Sequence, residues 1–579
     1  MAVRRHLILL IALLCAYCSL HASPSDVRGI NLLSRNWEND STAIVTAAAH
    51  GLNHVQLSHK IAMNLCDIRD RENMDLIRRL SDLAHASGIG EVCLWDHALY
   101  DTDYYPRRFM YPGTGLIDLD NPEFWEWIRD DYRSMMKICP EIDGLVLTFI
   151  ESGARVEDQF SEMSVPERLA RVIGTVSSVV CDEFGKKLWL RTFAYNEAEY
   201  GNIRECFGMI EWKSGMGLMM KDVPHDFFLP HPDNGMIGIF GHPTIVEFDT
   251  CGEYNGQSVI LNTLPSLYHD RMLRLSVKDD VAGYVARTSR CGDNEITGTP
   301  AEINLAMLDM AVTEPGWSTD RAIDEYLGVR YGKRAARHLK KAFSASRDII
   351  DGTMYIMGLS TSHHSELRFD APSTYSRHVS GRWTDSDTVH LGHGIDRDFH
   401  WWKDLVNTLA PLSCKNLDEK RAREISHVTE AGFLTGSEEM NEEYLRYIRT
   451  WTDDCIKKAS RGFRQVKRCR KNISSEDYAM ISDIYERSMM CLRLRQSAAI
   501  CWWGQRIWER GEEFRSPSLL KEIKKASSDL REVLETYESY DRPYPIGTWD
   551  FLSDADAARD ILSTASRVPC DGSSCSSSL

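Results

Sequence analysis

Short apolar runs alternate with amphipathic stretches from about residue 26 to residue 335. The short runs have the length and the Val, Leu, Ile and Phe content of strands that are buried on both faces. Eight strands with helices between them are the number that closes a parallel (β/α)8 TIM barrel, which is the fold class predicted here. The predicted strands are Gly29–Leu33, His54–Ser58, Glu91–His97, Gly144–Ser152, Leu188–Tyr195, Met209–Lys213, Thr244–Thr250 and Val281–Thr288.

Helix signals support the segments between the strands and dominate the end of the chain. Apolar residues recur at helical spacing over Asp70–Ser87, and Asn121 stands at an N-cap position before Pro122. From residue 336 onward strand patterns nearly disappear, which predicts a mostly α-helical C-terminal domain over 336–568 with a loop-rich connection at 351–400. Its long amphipathic stretches are Arg337–Ile350, Glu439–Arg461, Ser475–Trp508 and Leu519–Tyr540.

The two ends of the chain carry patterns of their own. Arg4 and Arg5 precede the apolar run Leu7–Leu20 and small residues around Ala22, which is the order of a secretory signal peptide. We therefore expect a signal peptide over 1–22, a barrel domain over 23–335, and a secreted or periplasmic location. No later run reaches about 18 uninterrupted apolar residues, so we expect no stable membrane insertion. The Ser-rich end, 569–579, is predicted to be disordered.

Charge and cysteine usage narrow the classes of partner. The formal net charge is −17, and it becomes about −19 when Arg4 and Arg5 leave with the signal peptide. Such an acidic exterior argues against nucleic acid as a partner, and an acidic substrate would need a local basic pocket. Cys15 and Cys18 belong to the signal peptide, and the other 14 of the 16 cysteines form no CxxC pair and no Cys/His cluster with zinc spacing. We therefore predict no metal site.

Carboxylates follow three of the predicted strands. Glu151 ends the fourth strand, Asp226 follows the sixth, and Glu253 follows the seventh. The carboxyl ends of barrel strands meet at one face, where (β/α)8 enzymes carry their chemistry. Inverting glycoside hydrolysis uses one carboxylic acid to protonate the leaving oxygen and one carboxylate to take a proton from water. The pattern favours this reaction class, although most acidic residues in so acidic a chain are solvated surface groups.

Four motifs in this region resemble those of the α-glucuronidases of glycoside hydrolase family 67. They occur in the family's order and at similar intervals, and the likeness covers about residues 85–335. The helical C-terminal region also resembles the family's third domain. The motifs are Asp143-Gly-Leu-Val-Leu-Thr-Phe-Ile-Glu151, Leu190-Arg191-Thr-Phe-Ala-Tyr195, Lys221-x-x-Pro224-x-Asp226-Phe227 and Glu247-x5-Glu253-Tyr254-x-Gly256-Gln257.

The resemblance implies an inverting hydrolase that needs no cofactor, in which Glu151 is the general acid and Asp226 and Glu253 share the base position. It also implies that Arg191 and Lys221 bind the glucuronate carboxylate through charge-assisted hydrogen bonds. Both cations have a structural alternative, because Arg191 could pair with a barrel carboxylate and Lys221 could be solvated in a loop. The family's helical domain often supports dimers, so a homodimer through this domain is a further implication.

The chain departs from the family pattern at three points. Leu147 stands where the family has a lysine four residues before the acid, so one cationic contact to the substrate carboxylate is expected to be lost. The Arg-Glu-Pro that usually follows the Asp-Phe pair is absent, because the chain reads Asp226-Phe-Phe-Leu-Pro230. The barrel is also expected to begin directly after the signal peptide, without the family's N-terminal β domain. These differences leave the sugar less well defined than the reaction class.

Aromatic and polar residues near the strand ends are candidates for the sugar pocket. Trp95, Asp96 and His97 end the third predicted strand, where the indole could stack on a pyranose face or belong to ordinary packing. Tyr195 and Tyr254 suit the rim of a cleft, although aromatic residues there are often part of the core.

Glu247 lies within the seventh predicted strand and could face inward or outward. If it faces inward, it could accept hydrogen bonds that orient Arg191 or substrate hydroxyls, and we favour such a supporting role.

The sequence therefore predicts an exported glycoside hydrolase that removes an α-linked uronic acid, glucuronate or its 4-O-methyl ether, from a plant or algal oligosaccharide or polysaccharide such as xylan. Two alternatives stay open. The same barrel could act on another sugar, with Leu147 marking a pocket for a neutral residue, or it could be a non-catalytic carbohydrate-binding protein.

Overall fold

The computed structural model describes most of the chain and divides it into two compact units. The first unit contains the described part of Met1–Phe227, His231–Gly252 and Leu264–Tyr326. The second contains the described part of Phe228–Pro230, Glu253–Thr263 and Leu327–Leu579. The described residues are 27–194, 197–224, 226–229, 231, 233–289, 296–356, 362–367, 441–540 and 551–565. The predicted signal peptide, Tyr195, the Ser-rich tail and most of the predicted loop-rich connection lie outside them.

Eight parallel strands form a closed barrel in the first unit. Each strand pairs with the next one along the chain, and β8 pairs with β1 to close the ring. The predicted (β/α)8 barrel is thus confirmed. The strands are β1 (Val27–Leu32), β2 (His54–Leu57), β3 (Glu91–His97), β4 (Gly144–Thr148), β5 (Lys187–Thr192), β6 (Met216–Lys221), β7 (Thr244–Phe248) and β8 (Val281–Arg287).

Helices follow the strands of the barrel, and two of them begin as the sequence predicts. Asp70 accepts a hydrogen bond from the N–H of Asn73, and Asn121 accepts one from the N–H of Glu123, with Pro122 as the first helical residue. The α-helices are α1 (Trp37–Ala49), α2 (Arg71–Ala86), α3 (Pro122–Ile138), α4 (Val165–Ser177), α5 (Glu197–Met209), α6 (Pro265–Ser276), α7 (Glu302–Thr313) and α8 (Thr319–Tyr331). Shorter turns are the 3₁₀ helices Leu65–Arg69, Thr102–Tyr104, Arg107–Phe109 and Val156–Asp158, and the π-helical turn Ser178–Glu183 after α4.

The sixth strand lies later in the chain than predicted. The predicted segment Met209–Lys213 contains the last residue of α5 and the turn after it, and β6 is Met216–Lys221. The run that forms β6 has no β-branched residue, so its intrinsic strand propensity is weak. Glycine is required at position 217, because a β-carbon there would lie 2.3 Å from Cζ3 of Trp189. Lys221 is therefore the last residue of a strand and not a loop residue.

The barrel interior is filled by buried side chains from β3 to β8. Side chains alternate along a strand, so one residue in two faces this interior. The seam between β8 and β1 depends on Gly283, because a β-carbon at this position would lie 1.8 Å from the carbonyl oxygen of Val27. The residues of the interior cluster are Cys93, Trp95, Val146, Trp189, Met219, Ile245 and Val285.

The second unit is mostly helical, as predicted. The predicted stretch Arg337–Ile350 is divided between two helices, α9 (Lys333–Phe343) and α10 (Ser346–Thr353). A two-stranded antiparallel hairpin follows, with β9 (Ser362–His363) and β10 (Glu366–Leu367). The remaining elements are α11 (Glu442–Cys469), α12 (Ser475–Glu509), α13 (Pro517–Glu538), α14 (Asp554–Ala565) and the 3₁₀ turns Glu512–Phe514 and Phe551–Ser553.

Every helix in the part of the chain that the structure describes is too short or too polar to cross a lipid bilayer.

Candidate active site

Charged side chains lie at the carboxyl ends of four neighbouring strands and face the barrel interior. One residue on each of β5 to β8 belongs to the apolar interior cluster, and the residue two positions further along must face the same way. All four of these residues are buried. We call them the inner charged layer, which comprises Arg191 (β5), Lys221 (β6), Glu247 (β7) and Arg287 (β8).

Arg191 is held by Glu247 on one side of its guanidinium. Nε of Arg191 donates to Oε2 of Glu247 at 2.8 Å, and Nη2 lies 3.4 Å from Oε1. The central guanidinium carbon also lies 4.5 Å from the ring centroid of Trp95. Because Glu247 is fully buried, its negative charge requires such a cation. Of the two orientations considered for Glu247, the structure shows the inward one, and Glu247 orients Arg191.

The remaining guanidinium nitrogen of Arg191 lies close to Glu151. Nη1 is buried and has no hydrogen-bond acceptor among the described residues, and it lies 3.8 Å from Oε2 of Glu151. The Glu151 side chain is 50% exposed. The fourth strand ends at Thr148, so Glu151 belongs to the turn after β4 and does not end the strand as predicted. A buried N–H without an acceptor is costly, and an incoming oxyanion would satisfy it.

Lys221 and Asp226 pair with each other. Nζ of Lys221 donates to Oδ1 of Asp226 at 2.9 Å, and the N–H of Phe227 donates to the same oxygen at 3.0 Å. Nζ also lies 3.5 Å from the ring centroid of Phe193. Both charged residues are buried, and the two donors stabilise the negative charge of Asp226.

Arg287 is a cation of this layer that the sequence analysis did not select. It is the last residue of β8 and is buried, and its guanidinium carbon lies 5.1 Å from the ring centroid of Phe227. Nζ of Lys221 lies 5.0 Å from the same ring. One sequence signal could have identified Arg287. It is a basic residue near the end of a predicted strand, two positions after a residue that faces the barrel interior.

His97 shares the inner face of β3 with Trp95, which belongs to the interior cluster. Nδ1 of His97 lies 2.7 Å from the carbonyl oxygen of Met63, so Nδ1 carries a proton and donates it to that oxygen. Burial lowers the pKa of His97, which favours the neutral imidazole. Trp95 is buried, with the guanidinium of Arg191 over its ring and the Gln56 side chain at its N–H, and the rings of His59 and His97 also contact it.

Asp96 has the opposite orientation to its two neighbours. It accepts hydrogen bonds from the hydroxyl groups of Tyr100 at 2.9 Å and Tyr132 at 2.5 Å, and from the N–H of Leu65 at 2.8 Å. Burial raises the pKa of Asp96 to about 6, although these donors oppose the change. The structure does not bring Asp96 to the inner charged layer.

Leu147 also lies on the outer side of the barrel wall. It is fully buried, it follows the interior residue Val146, and its partner in the register of β3 and β4 is Asp96. A lysine at this position would begin outside the ring of strands. The departure from the family pattern at position 147 therefore removes no cation from the inner charged layer.

Glu253 and Tyr254 belong to the second compact unit, where His364 contacts both. Nδ1 of His364 lies 2.7 Å from Oε1 of Glu253, and its ring stacks on Tyr254 with the centroids 5.0 Å apart. Both predicted residues are buried. The convergence of Glu253 with Glu151 and Asp226 on one sugar stays a prediction.

Three side chains at the amino ends of β2 and β3 offer metal-ligand atoms within 4.8 Å of one another, namely those of His54, Glu91 and Cys93. The hydrogen bonds of these side chains indicate a structural role instead of metal binding. Nε1 of Trp95 donates to Oε1 of Gln56 at 2.9 Å, so the Gln56 amide nitrogen must donate to Nε2 of His54 at 3.1 Å. The His54 proton then lies on Nδ1, which faces Glu91 at 3.1 Å and cannot bind a metal while protonated. These residues fit an internal polar network better than a metal site.

Comparisons with known proteins identify solved structures with a similar fold. No protein-family model matches the chain, and no curated protein matches it. The structure is similar to that of a GH138 enzyme targeting pectin rhamnogalacturonan II, with a TM-score of 0.56 and 10% identity over 94% of this chain and 84% of that chain.

Two further solved structures align over most of this chain. One is a GH115 4-O-methyl-α-glucuronidase with specificity for decorated arabinogalactans, at a TM-score of 0.46 and 12% identity over 96% of this chain and 63% of that chain. The other is an O-GlcNAc hydrolase mutant from Thermobaculum terrenum, at a TM-score of 0.43 and 12% identity over 93% of this chain and 94% of that chain. All three are glycoside hydrolases, and the similarity to the GH138 enzyme shows that this chain shares its fold.

Proposed function

We propose that the protein is a glycoside hydrolase that removes an α-linked uronic acid, glucuronate or 4-O-methylglucuronate, from an oligosaccharide or polysaccharide with inversion of configuration. The observation that carries the proposal is the environment of Arg191. Two of its nitrogens are directed at Glu247, and the third is buried beside the half-exposed Glu151 with no acceptor among the residues that the structure describes. The carboxylate of a bound uronic acid would accept from this nitrogen in a charge-assisted hydrogen bond.

The charges around Arg191 support an acidic sugar. Lys221 and Arg287 add two buried cations to the same layer, while the whole chain carries a formal charge of −17. A local group of cations within an acidic protein is the pocket that an acidic substrate requires.

The proposed reaction assigns a role to each carboxylate. Glu151 protonates the glycosidic oxygen, and its exposed position after β4 gives a leaving group access to it. Asp226 stays ionised through Lys221 and the Phe227 N–H, and with Glu253 it holds the water and receives its proton. The reaction needs no metal or organic cofactor.

The fold supports the reaction class by analogy. The GH138 enzyme with the same fold targets a pectin polysaccharide, rhamnogalacturonan II. Because one fold hosts many functions, the assignment of a uronic acid depends on the residues of the inner charged layer and not on this likeness.

A substrate panel tests the proposal. Aryl α-glucuronides, neutral aryl glycosides and xylo-oligosaccharides that carry 4-O-methylglucuronate are incubated with the full-length protein, and products are identified by mass. We expect release of the uronic acid only. Preferential release of a neutral sugar would support the alternative substrate, and sugar affinity without a released product would support a non-catalytic barrel.

Variants of the three carboxylates test their roles. We expect Glu151→Gln, Asp226→Asn and Glu253→Gln each to lower turnover by at least about a hundredfold with the fold intact. Glu126→Gln, at an exposed position of α3, is the matched control and should keep full turnover. Wild-type turnover in any one of the three test variants would remove that residue from the mechanism.

A further inference from the structure

The hairpin formed by β9 and β10 contacts the segment that follows β7 in the chain, and its turn has an unfavourable backbone. His364 has a φ of 46° and Ser365 a φ of 73°, so two consecutive non-glycine residues adopt left-handed conformations. Such a conformation is unfavourable for a non-glycine residue, and it persists only where the surroundings impose it. The surroundings of this turn are therefore informative.

Buried contacts impose the conformation. Arg495 of α12 and Asp554 of α14 form a fully buried ion pair at 2.7 Å. Nη2 of Arg495 donates to the carbonyl oxygen of Ser365, and the N–H of Leu367 donates to Oδ1 of Asp554 at 3.0 Å. The hairpin backbone is thus bonded directly to the core of the helical unit.

The same turn is bonded to the segment after β7. The hydroxyl of Ser365 donates to the carbonyl oxygen of Glu253 at 2.8 Å and accepts from the N–H of Gly256 at 2.9 Å. The side-chain amide of Gln257 donates to the carbonyl oxygen of His364 at 2.9 Å. These bonds fix the backbone of Glu253 relative to that of His364.

The His364 side chain meets the Glu253 carboxylate within this framework. Nδ1 lies 2.7 Å from Oε1 of Glu253, whose side chain is only 5% exposed. The imidazole is also stacked on Tyr254, with an angle of 30° between the rings. Stacking restricts the imidazole, so the Nδ1–H can donate to Glu253 in one geometry.

A second histidine–carboxylate pair shows what an ordinary contact of this kind looks like in the protein. Nε2 of His85 lies 2.8 Å from Oδ2 of Asp143, but these side chains are 37% and 39% exposed. His85 belongs to the last turn of α2, a regular helix. Neither burial nor an unusual backbone accompanies this pair, in contrast to that of His364.

We propose that His364 is a positioning residue for Glu253. It fixes the orientation of the carboxylate that receives the proton of the attacking water, and the left-handed turn places its Nδ1 for this purpose. The inference rests on the proposed function, because that function gives Glu253 its part in the base. A structural role alone would affect the unfolding temperature and not the turnover number.

Two substitutions of His364 separate the loss of its hydrogen-bond donor from the need for a residue that adopts a left-handed backbone. His364→Gly removes the imidazole and accepts a φ of 46° without strain. His364→Asn keeps an N–H donor close to the place of Nδ1, and asparagine tolerates the left-handed conformation better than most residues. Glu253→Gln, the double variant His364→Gly with Glu253→Gln, and the control His85→Asn complete the set. Each is made in the full chain and checked for its unfolding temperature.

The turnover number and the KM are measured for release of the uronic acid. We expect His364→Gly to lower the turnover number by about 10- to 100-fold while KM changes by less than about twofold, because a residue that orients a reactive group through a hydrogen bond typically has an effect of this size. His364→Asn should recover most of the turnover. The double variant should be no slower than Glu253→Gln, because His364 acts through Glu253. His85→Asn should match the wild type.

The outcomes distinguish this inference from the proposed function. If the wild type releases uronic acid and Glu253→Gln is impaired, but His364→Gly turns over like the wild type, the inference is overturned and the proposed function stands. An additive loss in the double variant would also overturn it. If the wild type releases no uronic acid, or if Glu253→Gln is fully active, the inference fails together with the part of the proposed function on which it rests.

Discussion

Removing Arg191 should separate its structural role from its role in substrate binding. In the variant Arg191→Leu, the fully buried carboxylate of Glu247 loses its cation, which typically costs about 3–5 kcal/mol of stability. In the double variant Arg191→Leu with Glu247→Leu, an apolar pair of similar volume replaces the ion pair. Such replacements are often neutral, so the free energy of unfolding should return close to the wild-type value.

Activity should not return with stability. If Arg191 binds the substrate carboxylate, both variants lose a charge-assisted hydrogen bond in a buried site, which is worth about 2–5 kcal/mol. At about 1.4 kcal/mol for each factor of ten, kcat/KM for an aryl α-glucuronide should fall by about thirtyfold to a few thousandfold in both variants. The contrast between the two readouts is specific to a residue that both pairs with Glu247 and binds substrate.

The assay combines urea unfolding with kinetics on the full-length protein. Tryptophan fluorescence follows unfolding of the whole protein, because its 15 tryptophans, Trp95 beside Arg191 among them, are distributed over both units. Arg271→Leu is the matched control. Arg271 pairs with the buried Asp222 at 2.6 Å, and neither residue belongs to the inner charged layer. It should lose stability without losing the preference for a uronide. A double variant that regains both stability and uronide activity would refute the role of Arg191 in binding.

The remaining predictions concern single residues of the barrel. Burial raises the pKa of Asp96 to about 6 from an ordinary value near 4, so between about pH 4 and pH 6 the folded state holds a proton that the unfolded state has lost. The free energy of unfolding should therefore fall by about 3 kcal/mol as pH rises through this window. Urea unfolding of Asp96→Asn at pH 4 and pH 7 should no longer show this loss. A loss of the same size in the variant would contradict the raised pKa of Asp96. Gly217→Ala places a β-carbon 2.3 Å from Cζ3 of Trp189 and 2.9 Å from the carbonyl oxygen of Pro243, and it should destabilise the protein by about 1–3 kcal/mol; a wild-type unfolding temperature would argue against these contacts. Arg287→Met should raise KM for the uronide by about tenfold with the turnover number nearly unchanged, and a wild-type KM would argue against a carboxylate contact.

Local patterns predicted most of the fold because the barrel strands are strongly apolar and their helices carry capping signals. Seven of the eight predicted strands overlap the observed ones. The exception, β6, is built from methionine, leucine, glycine and a final lysine, and its Gly217 is explained by the neighbouring Trp189 and the carbonyl oxygen of Pro243. The contact with Trp189 joins two strands and cannot be detected within a sequence window.

The sequence predicted most of the charged residues of the candidate site, but it did not predict which of them pair with each other. Sequence patterns place Arg191 and Glu247 within predicted strands, but the inward direction of Glu247 needed the register of the closed barrel. Asp96 adjoins inward-facing neighbours in the sequence, yet alternation turns it toward the hydroxyl groups outside the strands. Arg287 lay within a predicted strand, but its importance appears only beside the other cations of the inner charged layer.

Other predictions depend on properties that the described residues do not reveal. Export follows from the pattern at the N-terminus, and a homodimer through the helical domain follows from the family resemblance alone. Both stay predictions. Fractionation of the native host and the mass of the full-length protein in solution would test them separately.

The most direct measurement is time-resolved proton NMR of the sugar released from an α-linked 4-O-methylglucuronate substrate. An inverting reaction by Glu151 with Asp226 and Glu253 predicts that the β-anomer of the uronic acid appears first and then equilibrates with the α-anomer. The α-anomer as the first product, or the absence of any released uronic acid, would contradict the account.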